Sequence, residues 1–154
     1  MLPFADALAR ALAFASPARG WLVPLLGCAE EDAPRLYAAA DGVRAAHQGT
    51  DVQLRGLIEF SNVCRKNCAY CGLRVANRGA DRYRLTPEEI VATARRAEQL
   101  GYKTVVLQSG EDRWFTAERM AAIIRAIKAA TDLAITLSAG ERDRRTYARW
   151  REAG

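Results

Sequence analysis

The chain has 154 residues, with 23 basic and 18 acidic side chains, one histidine and four cysteines. Half of the residues are apolar and 27% are charged, a globular mix that excludes disordered, collagenous and mucin-like classes. No run of 18 uncharged apolar residues occurs, so no membrane span is expected. Three of the four cysteines fall within eight residues, which points to metal binding rather than to a disulfide scaffold.

The net charge of +5 is carried almost wholly by arginine. Its one local concentration, Arg65, Lys66, Arg74, Arg78, Arg82 and Arg84 against Asp81, surrounds the cysteines. A thiolate-held cluster or an anionic ligand favours such surroundings, and a solvated arginine face would look the same. Few aromatic residues interleave with these arginines, so no nucleic-acid platform is expected. The alanine-rich opening carries Asp6 and Arg10 where a secretion signal needs a basic start and an unbroken apolar run. Clustered free thiols add to that, and a cytoplasmic location is expected.

In chain order, residues 4–15 read as a helix with Phe4, Leu8, Ala11, Leu12 and Ala15 on one face. Pro17, Gly20 and Pro24 then interrupt the chain, leaving Trp21, Leu22, Val23, Leu25 and Leu26 as a short buried anchor. A second helix is expected from Asp32 to His47, with Leu36, Ala39, Ala40, Val43 and Ala46 on its apolar stripe. Residues 1–50 thus form a small helical cap, followed by a second domain over 51–154.

Residues 53–60 read as a strand that runs directly into Ser61, Asn62 and the cysteines. Thr86–Pro87–Glu88–Glu89 is a helix start, with threonine as N-cap, proline at the first position and a glutamate placed to close a capping box. Ile90, Val91, Ala94 and Ala97 line that helix, and Gly101 follows its end. Tyr102–Gln108 is the next strand, Thr116–Ala130 a helix, Leu133–Leu137 a third strand, and Asp143–Glu152 a helix with Tyr147 and Trp150 facing inward. The β-α-β-α-β-α order with apolar strands predicts a parallel sheet, the first three βα units of a (β/α) barrel. A complete barrel takes about 250 residues, so the chain is expected to be the N-terminal part of a longer protein. The long loop between Ser61 and Leu85 holds the cysteines, and a loop of that size in a compact domain is usually functional.

Cys64, Cys68 and Cys71 can each hold one iron of a [4Fe–4S] cube, leaving the fourth iron open. Zinc completed by Cys28 or His47 is the rival, although zinc ligands usually come in separated pairs. Cys28 otherwise reads as a small buried hydrophobe and His47 as a surface residue at a helix end.

The C-x3-C-x2-C spacing after the first strand, with Tyr70 before the third cysteine, resembles the radical S-adenosylmethionine (radical SAM) superfamily. The stretches from Ile58 to Arg74, Arg82 to Val91, Leu107 to Asp112 and Thr136 to Glu141 are similar to the biotin-synthase-like group, and within it to HydE-type maturases of [FeFe]-hydrogenase. The resemblance runs from about Leu54 to Gly154, and the N-terminal cap matches only loosely. It implies a partial radical SAM barrel and two cofactors, a [4Fe–4S] cluster and S-adenosyl-L-methionine, with Cys64, Cys68 and Cys71 as the metal ligands. The open iron would chelate the methionine end of the sulfonium compound, and one electron would cleave it to methionine and a 5′-deoxyadenosyl radical.

The family's Gly-Gly-Glu motif corresponds to Ser109–Gly110–Glu111, with serine in place of the first glycine. The resemblance makes these residues contacts to the methionine end. Taken alone, the same string also suits turn and cap chemistry. Ser138 and Glu141, after the third strand, are weaker cofactor-binding candidates for which turn-and-cap chemistry is the slightly favoured reading. Tyr70 is expected near the adenine or packed under the cysteine loop. The implied partners are a small-molecule or iron-complex substrate, an electron donor such as ferredoxin or flavodoxin, and companion hydrogenase maturases, with no nucleic acid or membrane. Two other readings stay open. One is a methylornithine synthase-like or, more distantly, a biotin synthase-like enzyme. The other is an inactive iron–sulfur or zinc binding module, because later strands normally complete the cavity; these 154 residues alone are expected to turn S-adenosylmethionine over poorly.

Overall fold

The computed structural model describes residues 2–13, 16 and 18–154. They form two compact units, Met1–Val52 and Gln53–Gly154. The first unit holds α1 (Phe4–Ala13), α2 (Arg19–Leu26) and α3 (Ala33–Gln48). Ala7 is the fully buried residue of α1, with Phe4, Leu8 and Ala11 partly covered beside it, while Leu12 is exposed. Ala15, expected on this face, lies outside the described residues.

Two expectations fail in this unit. The segment around Trp21 is a helix that contains Pro24. In a helix of eight residues a proline forfeits one hydrogen bond, and the chain tolerates it. Only Pro24 and Leu25 are buried there, whereas Leu22, Val23 and Leu26 face solvent. Similarly, α3 forms where expected but buries no residue. Its stripe is too alanine-rich to drive burial, and Val43 stays exposed.

The second unit is a three-stranded parallel sheet in the order β1 (Arg55–Ser61), β2 (Thr104–Ser109), β3 (Ala134–Ser138), interleaved with α4 (Pro87–Gln99), α5 (Ala117–Ala130) and α6 (Arg144–Glu152). The strand period of two sends Ile58, Phe60, Val105 and Leu107 to one face, where Ile90, Ala94, Met120, Ile123, Ile124 and Ile127 meet them in one core. Phe60 and Phe115 pack edge to face with ring centroids 4.5 Å apart. On the opposite face Leu57, Glu59, Thr136 and Ser138 are exposed. This is the expected partial β/α fold.

The helix starts follow the sequence. Thr86 Oγ1 accepts the Glu89 amide at 3.2 Å, and the Thr86 amide donates to Glu89 Oε2 at 2.7 Å, closing the capping box. Thr116 and Asp143 cap α5 and α6 one way only, their side chains accepting the Arg119 and Thr146 amides. Gly101 takes φ 92°, the left-handed turn that lets the chain leave α4 for β2. Trp150 is buried and its Nε1 donates to Ala117 O at 3.1 Å. Tyr147, expected inside, is half exposed and leans edge-on against Trp150. Because the strands are parallel, Ser61, Ser109 and Ser138 end them at one rim.

Candidate functional site

The cysteines sit on the excursion between β1 and α4, and polar pairing closes its base. The returning segment runs antiparallel to the end of β1 through a Ser61–Arg84 bridge. The Leu85 amide donates to Phe60 O at 2.8 Å. Asn62 accepts the Tyr83 amide at 2.8 Å and donates its Nδ2 to Asp81 O at 2.6 Å. The Tyr83 hydroxyl donates to Glu59 O at 2.9 Å. A loop with its ends so tied is an ordered unit rather than a loose connection.

Cys64, Cys68 and Cys71 are all free thiols; Cys68 is exposed and the other two are partly buried. The Cys71 amide donates to Cys68 O at 3.1 Å and the Arg74 amide to Cys71 O at 3.2 Å, so successive turns carry the second and third cysteines. Among the described residues no three Cys, His, Asp or Glu side chains are gathered tightly enough for one metal ion. Cys28 and His47, the expected completers of a zinc site, belong to the other unit, where Cys28 is partly exposed and His47 exposed.

The turn after β2 reaches directly onto the first cysteine. The Glu111 amide donates to Cys64 Sγ at 3.3 Å, the Arg65 amide to Glu111 O at 3.2 Å, and the Gly110 amide to Ser61 O at 2.9 Å. A Cβ on Gly110 would fall 2.3 Å from Val63 O and 2.8 Å from Cys64 Cβ, so no side chain fits there. The glycine is thus required by the close passage of two backbones, independently of any ligand. Ser109 turns its hydroxyl onto Gly110 O at 2.7 Å.

Glu111 is buried and meets Arg65 Nη2 at 3.0 Å, with Lys66 Nζ at 4.0 Å from its other oxygen. Burial pushes its carboxyl upward, but Arg65, Lys66 and a backbone hydrogen bond from Glu141 outweigh that and hold it below the usual carboxylate range. It is therefore an anion at neutral pH. Lys66 also donates to Glu141 Oε2 at 2.9 Å, which raises the lysine's pKa and links the first loop to the one after β3. Gly140, at φ 80°, passes close beside the Glu111 stem.

The expected residues divide accordingly. Cys64, Ser109, Gly110 and Glu111 are brought together, and Glu141 joins them through Lys66. Ser138 pairs with Gln108 at the strand ends and stays exposed. Tyr70 is 92% exposed, so it does not pack under the cysteine loop. A cavity of about 170 Å³ opens beside these strand ends, lined by Glu59, Ser61, Asn62, Leu73, Tyr83, Gln108 and Ser109. A larger hollow of about 460 Å³ lies between α5 and α6 among solvated charges such as Glu118, Arg145 and Glu152, away from the cysteines.

Asp112 was not among the expected site residues, yet it ties the rim together. Buried, it accepts Ser61 Oγ at 2.8 Å, Arg84 Nε at 2.6 Å, Arg84 Nη2 at 3.1 Å and the Trp114 amide at 3.1 Å. Burial again pushes upward, and Arg84 and Ser61 bring its pKa below the ordinary aspartate value. Its carboxylate joins the end of β1, the neck of the cysteine loop and the turn after β2. The only local signal was an acid following Glu111 and an arginine two residues before a helix cap.

A Radical SAM superfamily model matches residues 58–154. The chain is 52% identical over 119 residues to the [FeFe] hydrogenase maturase subunit HydE of Thermotoga maritima, covering 77% of this chain and 34% of that protein. It is 36% identical over 126 residues to the biotin synthase of Acaryochloris marina, covering 77% of this chain and 36% of that protein. The crystal structure of methylornithine synthase (PylB) superposes with a TM-score of 0.82 at 31% identity, over 96% of this chain and 44% of that one. The chain thus spans about a third of the length of the curated relatives it matches. A cysteine loop on the first strand, clasped by the turn after the second, and a family model spanning both place this chain in the radical SAM superfamily.

Proposed function

We propose that this protein binds a [4Fe–4S] cluster through Cys64, Cys68 and Cys71 and cleaves S-adenosylmethionine reductively, in service of [FeFe]-hydrogenase maturation. One observation carries the reading: the Glu111 amide rests on Cys64 Sγ, so the turn after β2 and the thiol loop after β1 form one site. The donor set fits the cluster. Three free thiols within eight residues, the second and third on successive turns, suit three separate irons, whereas a single zinc ion needs its ligands converged.

When bound, the reduced cluster supplies one electron that breaks a sulfur–carbon bond of the sulfonium compound. The chain's own share is binding, orientation and charge. Glu111, held ionised by Arg65 and Lys66, is an acceptor for an α-ammonium group. Ser109 and Gly110 border that position with a hydroxyl and a bare backbone. Ser138 and Glu141 offer further polar contacts from the end of β3, and Tyr70 offers an exposed ring for a base to stack on. The identity to HydE, higher than to the biotin synthase or to PylB, favours the maturase role over the other two. That role brings a low-potential electron donor and companion maturases as partners.

The test is anaerobic reconstitution of the full-length protein with iron and sulfide, followed by dithionite and S-adenosylmethionine. The expected result is about four irons and four sulfides per chain, an electron paramagnetic resonance (EPR) signal that changes with the sulfonium compound, and 5′-deoxyadenosine. Zinc without sulfide, or a signal indifferent to S-adenosylmethionine, overturns the reading. Deoxyadenosine formation without support of hydrogenase maturation by the companion maturases moves the assignment to the methylornithine synthase type.

A further inference from the structure

Arg82 is the residue around which the cysteine loop is wound. Its Nη1 donates to Asn62 O at 2.6 Å and to Leu73 O at 3.0 Å. Its Nη2 donates to Arg74 O at 3.0 Å and to Asn77 O at 3.2 Å. All four acceptors are backbone carbonyls, and among the described residues no carboxylate forms a salt bridge with this guanidinium. A planar fork with fixed donor directions can collect carbonyls from several chain segments at once, which a point-charge ammonium cannot do.

The four carbonyls flank the thiols. Asn62 lies two residues before Cys64, and Leu73 lies two residues after Cys71. Two of the gripped peptides are held at their other ends as well. The Leu73–Arg74 peptide gives its carbonyl to Arg82 and its N–H to Cys71 O, at 3.2 Å. The Arg74–Val75 peptide gives its carbonyl to Arg82 and its N–H to Lys66 O, at 2.8 Å. Through Lys66 and the Cys71 amide on Cys68 O, the grip reaches the backbone on both sides of Cys68. Arg82 therefore grips the backbone on both sides of the three thiols, and none of its four hydrogen bonds goes to a sulfur.

We infer that Arg82 is a positioning residue for the cluster, acting through the backbone of its loop to hold the three thiols in register before iron arrives. The inference rests on the proposed role of Cys64, Cys68 and Cys71. It distinguishes Arg82 from the other arginines of the basic group: Arg78, exposed in the same loop, serves as the control.

The experiment compares wild type, Arg82→Lys, Arg82→Gln and Arg78→Gln in the full-length protein. Hydrogen exchange at the Arg74 and Val75 amides of the metal-free protein reads the loop itself. Iron release to a chelator and the EPR line shape, with and without S-adenosylmethionine, read the cluster. Arg82→Gln is expected to exchange those two amides faster and to release iron roughly tenfold faster, the usual scale for a residue that orients metal ligands. Its EPR signal is expected to broaden, while α4 and α5 amides keep wild-type protection. Arg82→Lys is expected to fall between, and Arg78→Gln to match wild type. Unchanged exchange at Arg74 and Val75 in folded Arg82 variants overturns the inference, as does an unchanged release rate. If Arg82→Gln does not fold, Arg82→Lys carries the same two criteria. Wild type that takes up no iron and sulfide overturns the cluster reading instead, and the exchange measurement still decides whether Arg82 orders the loop.

Discussion

The helix-covered face of the sheet and its cysteine-bearing rim are built from different forces. Beneath the helices, Ile58, Phe60, Leu107, Met120 and Ile124 exclude water by shape, and no charge takes part. At the rim almost every contact is polar: a carboxylate on a guanidinium, an amide on a sulfur, a guanidinium on carbonyls. Burial of apolar area is strong but has no direction. Hydrogen bonds contribute less net free energy but have direction, which three sulfurs in register require. The core thus decides that the unit folds, and the rim decides where the thiols stand.

Substitutions sharpen this contrast, beginning with the core. Phe60→Ala, at a fully buried ring packed on Phe115, is expected to cost about 3–5 kcal/mol in denaturant unfolding. A rim position matching that loss would break the division. Gly110→Ala forces a methyl group against Val63 O and is expected to cost about 2–3 kcal/mol, with iron uptake on reconstitution falling alongside.

Asp112→Asn removes a charge from the buried clasp while Arg84 keeps access to water; the expected loss is about 2 kcal/mol, below that for a fully buried pair. Its pH dependence has a definite sign. A carboxyl whose folded pKa is depressed stabilises the fold above its unfolded value, and that contribution fades as pH falls through the folded value. The gap between wild type and Asp112→Asn is therefore expected to be flat from neutrality to about pH 5 and to narrow below about pH 4. A gap that widens in acid would contradict the clasp. The smallest effect is expected for Glu141→Gln, whose partner Lys66 lies at the surface; unfolding should change by less than about 0.5 kcal/mol.

The second unit was legible in the chain because its signals are local. The capping box at Thr86–Glu89, the left-handed Gly101 and the β-branched run Thr104–Val106 each act within a few residues, and each forms as expected. The first unit was less legible because Pro24 and a stripe of alanines are ambiguous without knowing what covers them. At the rim, the cysteines could be named from spacing and Ser109, Gly110 and Glu111 from the resemblance, but their connections could not. Ser61 and Asp112, 51 residues apart, meet only once the parallel strands bring their ends level, and Asn62 and Arg82, 20 apart, only once the cysteine loop folds back along β1. Glu111 illustrates both sides, since its identity was expected from the motif while its amide on Cys64 was not.

The sheet itself has a further consequence. Its order leaves β1 and β3 at the two borders, and among the described residues no further strand pairs along either. Only the tip of β1 is shielded, by the short bridge from Arg84. Two rows of unsatisfied amides and carbonyls can recruit a strand from any neighbouring chain. Oligomeric state in dilute solution therefore becomes a variable to be controlled whenever these residues are handled alone, and light scattering against protein concentration should precede any count of iron per chain.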